Sequence, residues 1–228
     1  MGNSEKTPDE GLVILIDKEQ SWTSFDVVKK LRGILKVKKI GHAGTLDPLA
    51  TGLLIICAGK KTKSINEFQG MDKTYSGIIE IGKTTPSYDL ETEFDSLADY
   101  AHVTTDQIYQ TAKEFSGTQL QYPPVYSAIK IDGKRAYKFA RRGEEVKIEP
   151  KEVRIESFEI SKIELPEIHF KLVCSKGFYV RSLANDFGKK LGVGAYLKYL
   201  RREKIGEFSV EGAPTIREFE DKMNNMEQ

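Results

Sequence analysis

The block Gly41-His42-Ala43-Gly44-Thr45-Leu46-Asp47-Pro48-Leu49-Ala50-Thr51-Gly52 sets one carboxylate among three glycines and a proline, directly ahead of the apolar run Leu53 to Cys57. Glycines permit tight turns and Pro48 fixes its own backbone angle, so such a loop can present Asp47 at the end of a buried strand. With an ordinary pKa of about 3.9, an aspartate is charged at neutral pH and can act as a nucleophile or take a proton. From composition alone, the simpler account is an ordinary turn in which Asp47 caps a helix or accepts local backbone bonds.

Composition narrows the setting of that loop. The chain has 228 residues, enough to bury a core without cross-links, and its 35 Lys and Arg nearly balance 34 Asp and Glu for a net charge of +1. A near-neutral chain does not coat nucleic acid without selectivity, so any RNA contact must use a local basic patch. The 2 cysteines, Cys57 and Cys174, lie in strand-like runs, and with 3 histidines a structural zinc site is improbable. The segment from Met1 to Glu10 is polar, and no apolar run approaches a membrane span. A cytoplasmic protein that needs no metal, cofactor or membrane is expected.

The elements that must position the loop alternate irregularly between strand and helix. Leu12 to Ile16, Leu53 to Cys57 and Tyr75 to Ile81 read as strands, and Ser24 opens a helix carrying Phe25, Val28, Leu31 and Leu35. Thr104 and Gln107 form a capping box for a helix with Ile108, Ala112 and Phe115, closed by Gly117. After Tyr122-Pro123-Pro124 come a strand over Val125 to Ile131, a turn at Asp132-Gly133 and a short basic helix from Ala136 to Arg142. Val153 and Ile155, then Ile168, Phe170, Leu172 and Cys174, alternate as half-buried strands of an antiparallel sheet. Val180, Leu183, Phe187 and Leu191 make a helical stripe ended by Gly192. Ile205 to Val210 reads as a strand, and Thr215 with Glu218 caps a last helix. The pattern predicts a mixed α/β (α+β) domain over 11–212 with a surface insertion near 121–147, a polar tail at 1–10, and a helix and polar tail over 213–228.

The stretch Gly41 to Gly52 closely resembles the catalytic motif G-H-x-G-x-L-D-P-x-A-x-G of the TruB family of tRNA pseudouridine synthases. Further blocks resemble the family in its order: Leu15-Ile16-Asp17-Lys18, Lys73-Thr74-Tyr75, Tyr126-Ser127-Ala128 with Lys130, Cys174 to Arg181, and Leu200-Arg201-Arg202. The resemblance implies the pseudouridine synthase fold, a central mainly antiparallel sheet flanked by helices, and isomerisation of the T-loop uridine of tRNA, nucleotide 55, by a monomer. The substrate partner it implies is the tRNA T-arm.

By the same resemblance Asp47 is the catalytic carboxylate, as nucleophile or as base toward a ribose proton, and Arg181 is the cation that keeps it ionised. Tyr75 would stack on the flipped uracil, Leu200 pack beside it, Tyr179 relay a proton, and His42 fill the space the extruded base leaves. Lys18 would brace the loop or meet phosphate. Lys130, Arg141 and Arg142, with Lys134, Arg135 and Lys138, would belong to a thumb that grips RNA against a single acid, Asp132. Taken singly, each has a plainer reading: a core aromatic for Tyr179, a surface charge at a helix start for Arg181, a solvated strand-end lysine for Lys18.

The chain departs from the family at Lys18-Glu19-Gln20-Ser21-Trp22, where the usual proline and glycine are missing, and it carries no length for the C-terminal PUA-type RNA-binding domain of many members. Two rival functions are a tRNA-folding module without catalysis and a glycoside hydrolase. The hydrolase would need a second acid that the motif does not supply.

Overall fold

The computed structural model describes residues 11–127, 129–131, 133–136, 139, 142, 144 and 146–226, with the side chains of 130, 131, 134, 135 and 226 left aside. The basic helix expected over 136–142 and the turn at Asp132 fall mostly outside the described residues. So do Lys138 and Arg141 and the side chains of Lys130, Lys134 and Arg135.

In chain order the first elements are β1 (Leu12–Lys18), α1 (Ser24–Leu35), β2 (Ile40–His42), β3 (Thr51–Ala58), a 3-10 turn (Gly59–Ser64), α2 (Ile65–Gly70) and β4 (Lys73–Ile81). Next come β5 (Lys83–Thr84), β6 (Ser96–Leu97), α3 (Thr105–Lys113), β7 (Gly117–Gln121), β8 (Lys130–Ile131) and β9 (Lys134–Arg135). The last are β10 (Lys151–Glu164), β11 (Glu167–Cys174), α4 (Val180–Leu191), β12 (Ala195–Ile205), β13 (Phe208–Ser209) and α5 (Ile216–Met226). No helix among the described residues is long and apolar enough to cross a membrane.

The chain divides into two compact units, 1–75 with 201–228 and 76–200, so that β4 and β12 each contribute to both. In the first unit β3 is the organising strand. It pairs antiparallel with β1, from Leu12↔Ala58 to Lys18↔Gly52, and antiparallel with β2, while the end of β12 joins it in parallel at Arg201↔Thr51 and Arg202↔Gly52. Every residue from Gly52 to Ala58 is buried, as expected of a strand covered on both faces. Alternation sends Leu54, Ile56 and Ala58 toward Val27, Val28 and Leu31 of α1 and Ile216 of α5, and Leu53, Ile55 and Cys57 toward Phe68, Ile205 and Val210. Each such fully buried aliphatic side chain contributes about 2 kcal/mol relative to exposure.

The second unit orders its strands β12, β4, β11, β10, β7, with β10 antiparallel to both β11 and β7. Phe115, Phe158, Phe170 and Phe187 pack there with ring centroids 5.7 to 6.3 Å apart, which seats α4 on the sheet. Gly188 of α4 must lack a side chain, because a Cβ would stand 2.1 Å from the Ala195 nitrogen.

The sheet is mostly antiparallel, as the alternation predicts, and Cys57 and Cys174 are buried free thiols. Several local expectations are corrected. Helix α1 opens at Ser24 as expected, capped by Thr23 in a capping box with Asp26, but Phe25 lies 63% exposed rather than on the buried stripe. Phe115 follows α3 instead of belonging to it, and Gly117, at φ 95°, begins β7. Residues 125–127 bend instead of forming a strand, since Pro123 and Pro124 remove two backbone donors. The strand read over Ile205 to Val210 is broken by a turn at Gly206, at φ 54°, and the long strand there is β12, which ends at Ile205.

Candidate active site

The Asp47 loop joins β2 to β3 and is held by its backbone from three sides. The Ser24 hydroxyl accepts from Leu46 N at 2.8 Å and donates to Leu46 O at 3.0 Å, clamping both polar groups of the residue before Asp47. Ser21 N donates to Pro48 O at 2.9 Å, and Lys18 Nζ donates to the same oxygen at 3.3 Å. Arg202, 1% exposed, donates from Nε to Leu53 O at 2.8 Å, from Nη1 to Thr45 O at 3.3 Å and from Nη2 to Gly44 O at 3.1 Å. Such a close approach is why Gly52 is glycine: at φ 100° its Cβ would fall 2.3 Å from Arg202 O. Ala50 N closes the turn on Asp47 O at 3.1 Å. These bonds hold the main chain on both sides of Asp47 and so set the position of its half-buried side chain.

Lys18 is the last residue of β1 and is 1% exposed, not a solvated strand end. Its ammonium also donates to Trp22 O at 2.7 Å and Glu19 O at 3.0 Å, so the turn that departs from the family's proline and glycine is held by the lysine itself. Burial pushes the Lys18 pKa down to about 8, the Asp47 carboxylate pulls against that fall and the Arg202 guanidinium adds to it. The neighbouring Asp17 forms a two-pronged bond with Arg201, at 3.0 and 2.7 Å. His42 is half-buried on β2. Burial, then the charge of Arg202, lower its pKa against a raising bond with the Gly44 backbone, which favours the neutral ring. Tyr75 is buried in β4.

The Lys18 shift sets a pH dependence. With a folded pKa of about 8 against 10.5 in the free group, the unfolded chain binds more protons between those values. The lysine's contribution to stability is therefore least below pH 8 and grows as pH rises through that window. With Asp47 as the reacting carboxylate, activity is expected to run the other way, because loss of the ammonium removes a charge that acts on Asp47. The rate is expected to fall with an apparent pKa of about 8, and the Lys18→Arg variant to carry that limb to higher pH. A kcat profile from pH 6 to 9.5 checks it, and an unmoved limb in Lys18→Arg would refute the assignment.

The second unit carries Tyr179, Arg181 and Leu200. Tyr179 is the residue before α4, and the Gln121 carboxamide clamps it, accepting from Tyr179 N at 2.8 Å and donating to Tyr179 O at 3.0 Å. Arg181, in the first turn of α4, is 4% exposed rather than a surface charge. Its Nη1 donates to Ser87 O at 3.2 Å and its Nε lies 3.6 Å from Oδ2 of Asp89, which is 5% exposed. Leu200 is buried at the limit of this unit. Of the expected site residues, Lys18, His42, Asp47 and Tyr75 belong to the first unit and Tyr179, Arg181 and Leu200 to the second.

A model of the TruB family pseudouridylate synthase N-terminal domain matches residues 32–180. The chain belongs to the TruB family. A model described as the tRNA pseudouridylate synthase B C-terminal domain matches 181–228. A tRNA pseudouridine synthase B of Flavobacterium johnsoniae is 52% identical over 227 residues, covering 95% of this chain and 99% of that protein. One of Chloroherpeton thalassium is 48% identical, covering 94% and 91%. Among solved structures, a Cbf5-Nop10-Gar1 complex superposes at TM-score 0.76 and 28% identity, covering 97% of this chain, which spans 57% of the chain it matches there. The TruB chain is thus a pseudouridine synthase, an isomerase, with the pseudouridine synthase fold.

Three groups of this TruB chain escape a reading of the sequence by motif. Asp89 sits in a run with Glu91, Glu93 and Asp95 that looks like solvated acid, and Ser24 looks like no more than the first residue of a helix. The third is a basic surface. Lys36, Lys38 and Lys39 follow α1, and Lys60, Lys61 and Lys63 lie in the 3-10 turn, all exposed, with Gly59 N bonded to Lys39 O at 2.8 Å to join the two stretches. Neither 29–39 nor 59–63 contains an acid, which was the available signal. In the expected thumb, Arg142 is exposed, pairs with Glu144 at 2.9 Å and lies 5.3 Å from the Phe139 ring centroid.

Proposed function

We propose that this synthase isomerises the T-loop uridine of tRNA, nucleotide 55, with Asp47 as the reacting carboxylate and no cofactor. The observation that carries the reading is the clamped loop: one acid in the family motif, its flanking carbonyls and amides gripped by Ser24, Lys18 and Arg202. Such pre-organisation supports chemistry at the side chain these bonds position.

In the reaction the target nucleotide leaves the stack, because its glycosidic bond is inaccessible in folded RNA. Asp47 attacks the sugar or removes a ribose proton, the bond from ribose to base nitrogen breaks, and the base turns. A bond then forms from ribose to uracil carbon 5 as the sugar's bond to Asp47 breaks or the ribose proton returns, the proton on carbon 5 leaves with the Tyr179 phenol as its relay, and the freed base nitrogen takes up a proton. Tyr75 stacks on the uracil, Leu200 packs beside it and His42 occupies the vacated space. The buried Arg181 supplies positive charge in support of the carboxylate, and Lys18 holds the loop. The chain acts as a monomer on the T-arm, gripped by the thumb residues Lys130, Arg141 and Arg142.

The basic surface of the first unit supports RNA as the substrate class, since exposed lysines beside one another release counterions when they meet phosphates. Replacing Lys38 and Lys60 by Glu is expected to weaken tRNA binding and reduce the slope of log affinity against log salt by about 0.7 to 0.9 per lysine, with the rate at saturating tRNA retained. Filter binding from low to high salt reads both, and an unchanged slope would remove this surface from the interface. The target position is tested by chemical mapping of pseudouridine in unmodified tRNA after incubation with the chain. A single new site in the T loop supports the proposal; modification elsewhere contradicts it.

A further inference from the structure

In the second unit the backbone around Asp89 is fastened by three hydroxyls that no step above uses. Thr85 Oγ1 donates to Asp89 O at 2.7 Å and Ser87 Oγ donates to the same oxygen at 3.1 Å. Ser87 has one hydroxyl proton, so its 2.9 Å contact with Thr92 Oγ1 must be a bond donated by Thr92, whose oxygen in turn accepts from Ser87 N at 3.1 Å. The bonds run in one direction, Thr92 to Ser87 to Asp89, and such chains strengthen one another in a dry interior. Thr85 is 2% exposed and Ser87 0%.

Both ends of this lock reach Arg181. Asp89, whose carbonyl receives two hydroxyls, offers the carboxylate 3.6 Å from Arg181 Nε, and Ser87 O accepts from Arg181 Nη1 at 3.2 Å. Tyr88, between them, stands at φ 64°, a region a residue with a Cβ occupies only when its surroundings impose it. Its backbone is held on both sides, by Thr85 O at 3.1 Å from Tyr88 N and by Leu197 N at 2.9 Å from Tyr88 O. A turn needed only to connect β5 to β6 would not require a left-handed tyrosine or two donors on one carbonyl.

We propose that Thr85, Ser87 and Thr92 are positioning residues of the isomerisation: their hydroxyls fix Asp89 and Ser87 O, and these aim the Arg181 guanidinium. The proposal rests on the reading that Arg181 serves the reaction, and the experiment separates the two. Thr85→Val keeps the side-chain volume and removes the donor; Thr85→Ser keeps the donor. Single-turnover rates and tRNA affinities are measured for both, for Ser87→Ala and for Arg181→Lys, each with its melting temperature.

Thr85→Val and Ser87→Ala are expected to slow conversion about tenfold with tRNA affinity unchanged within about twofold, and Thr85→Ser to restore the rate. A purely structural role would lower the melting temperature without changing the rate per folded molecule. Wild-type rates in Thr85→Val and Ser87→Ala, or a Thr85→Ser as slow as Thr85→Val, would overturn the proposal. If Ser87→Ala does not fold, the Thr85 pair decides. A wild-type rate in Arg181→Lys would instead remove Arg181 from the reaction, a different failure from that of the hydroxyl lock.

Discussion

Asp47→Asn is expected to lower the single-turnover rate by more than about 10^4-fold while leaving tRNA binding and folding intact. The substitution is nearly isosteric, and the bonds that hold the loop, from Ser24 to Leu46, from Lys18 and Ser21 to Pro48 and from Arg202 to Gly44 and Thr45, all engage main chain or neighbouring residues. What is lost is the charge that, in the proposed reaction, either attacks the sugar or takes its proton, and an amide does neither at neutral pH. One collateral effect follows from the electrostatics. Asp47 raises the Lys18 pKa, so in Asp47→Asn that lysine should titrate below its value of about 8. Rapid-quench measurement of pseudouridine formation, with binding measured in parallel, separates loss of chemistry from loss of fold.

The second large effect is expected at Asp89. Asp89 and Arg181 have side chains 7% and 5% exposed, so removing the carboxylate takes a close counter-charge from a buried guanidinium. Asp89→Ala should cost about 3 kcal/mol of stability, and both Asp89→Ala and the volume-conserving Asp89→Asn should lower kcat by about 10^2-fold, since a misaimed charged group costs rate steeply. The Asp89 carboxylate also accepts from Glu91 N at 2.9 Å, so Asp89→Asn, which keeps an acceptor there, should melt closer to wild type than Asp89→Ala. Denaturant unfolding and steady-state kinetics of the two variants check the split. A wild-type kcat in both would mean that the pair serves the fold alone.

Much of this arrangement is legible in the residues. The glycines, the proline and the single acid of 41–52 announce a loop with one exposed function, and β3 behind it is an unbroken apolar run. The capping boxes of α3 and α5 are written as Thr104 with Gln107 and Thr215 with Glu218, and both form. Hidden elements are those whose polar residues are satisfied inside. β12 carries Lys198, Arg201, Arg202, Glu203 and Lys204, which reads as surface, yet Arg202 is 1% exposed and spends its donors on the carbonyls of Leu53, Thr45 and Gly44. Burial of charge is settled by partners distant in the chain, and a window of neighbours carries no record of them.

The same reason conceals half of the candidate site. Asp89 stands apart from Glu91 and Glu93 by what lies opposite it, and Ser24 reads as the first residue of a helix with no sign that its hydroxyl holds Leu46. Lys18 follows the rule in reverse: its plain reading as a solvated lysine fails because three carbonyls, of Glu19, Trp22 and Pro48, converge on it. The family resemblance marked Lys18 and Arg181, while the contacts supply the physical reason each position needs a cation.

The most direct measurement is tritium release from tRNA labelled at carbon 5 of its uracils, incubated with the wild-type chain. The proposed isomerisation requires one tritium released per tRNA, and none once the T-loop uridine is replaced by cytidine. Tight tRNA binding with no release at all would contradict the assignment and leave a protein that opens the T-arm without modifying it.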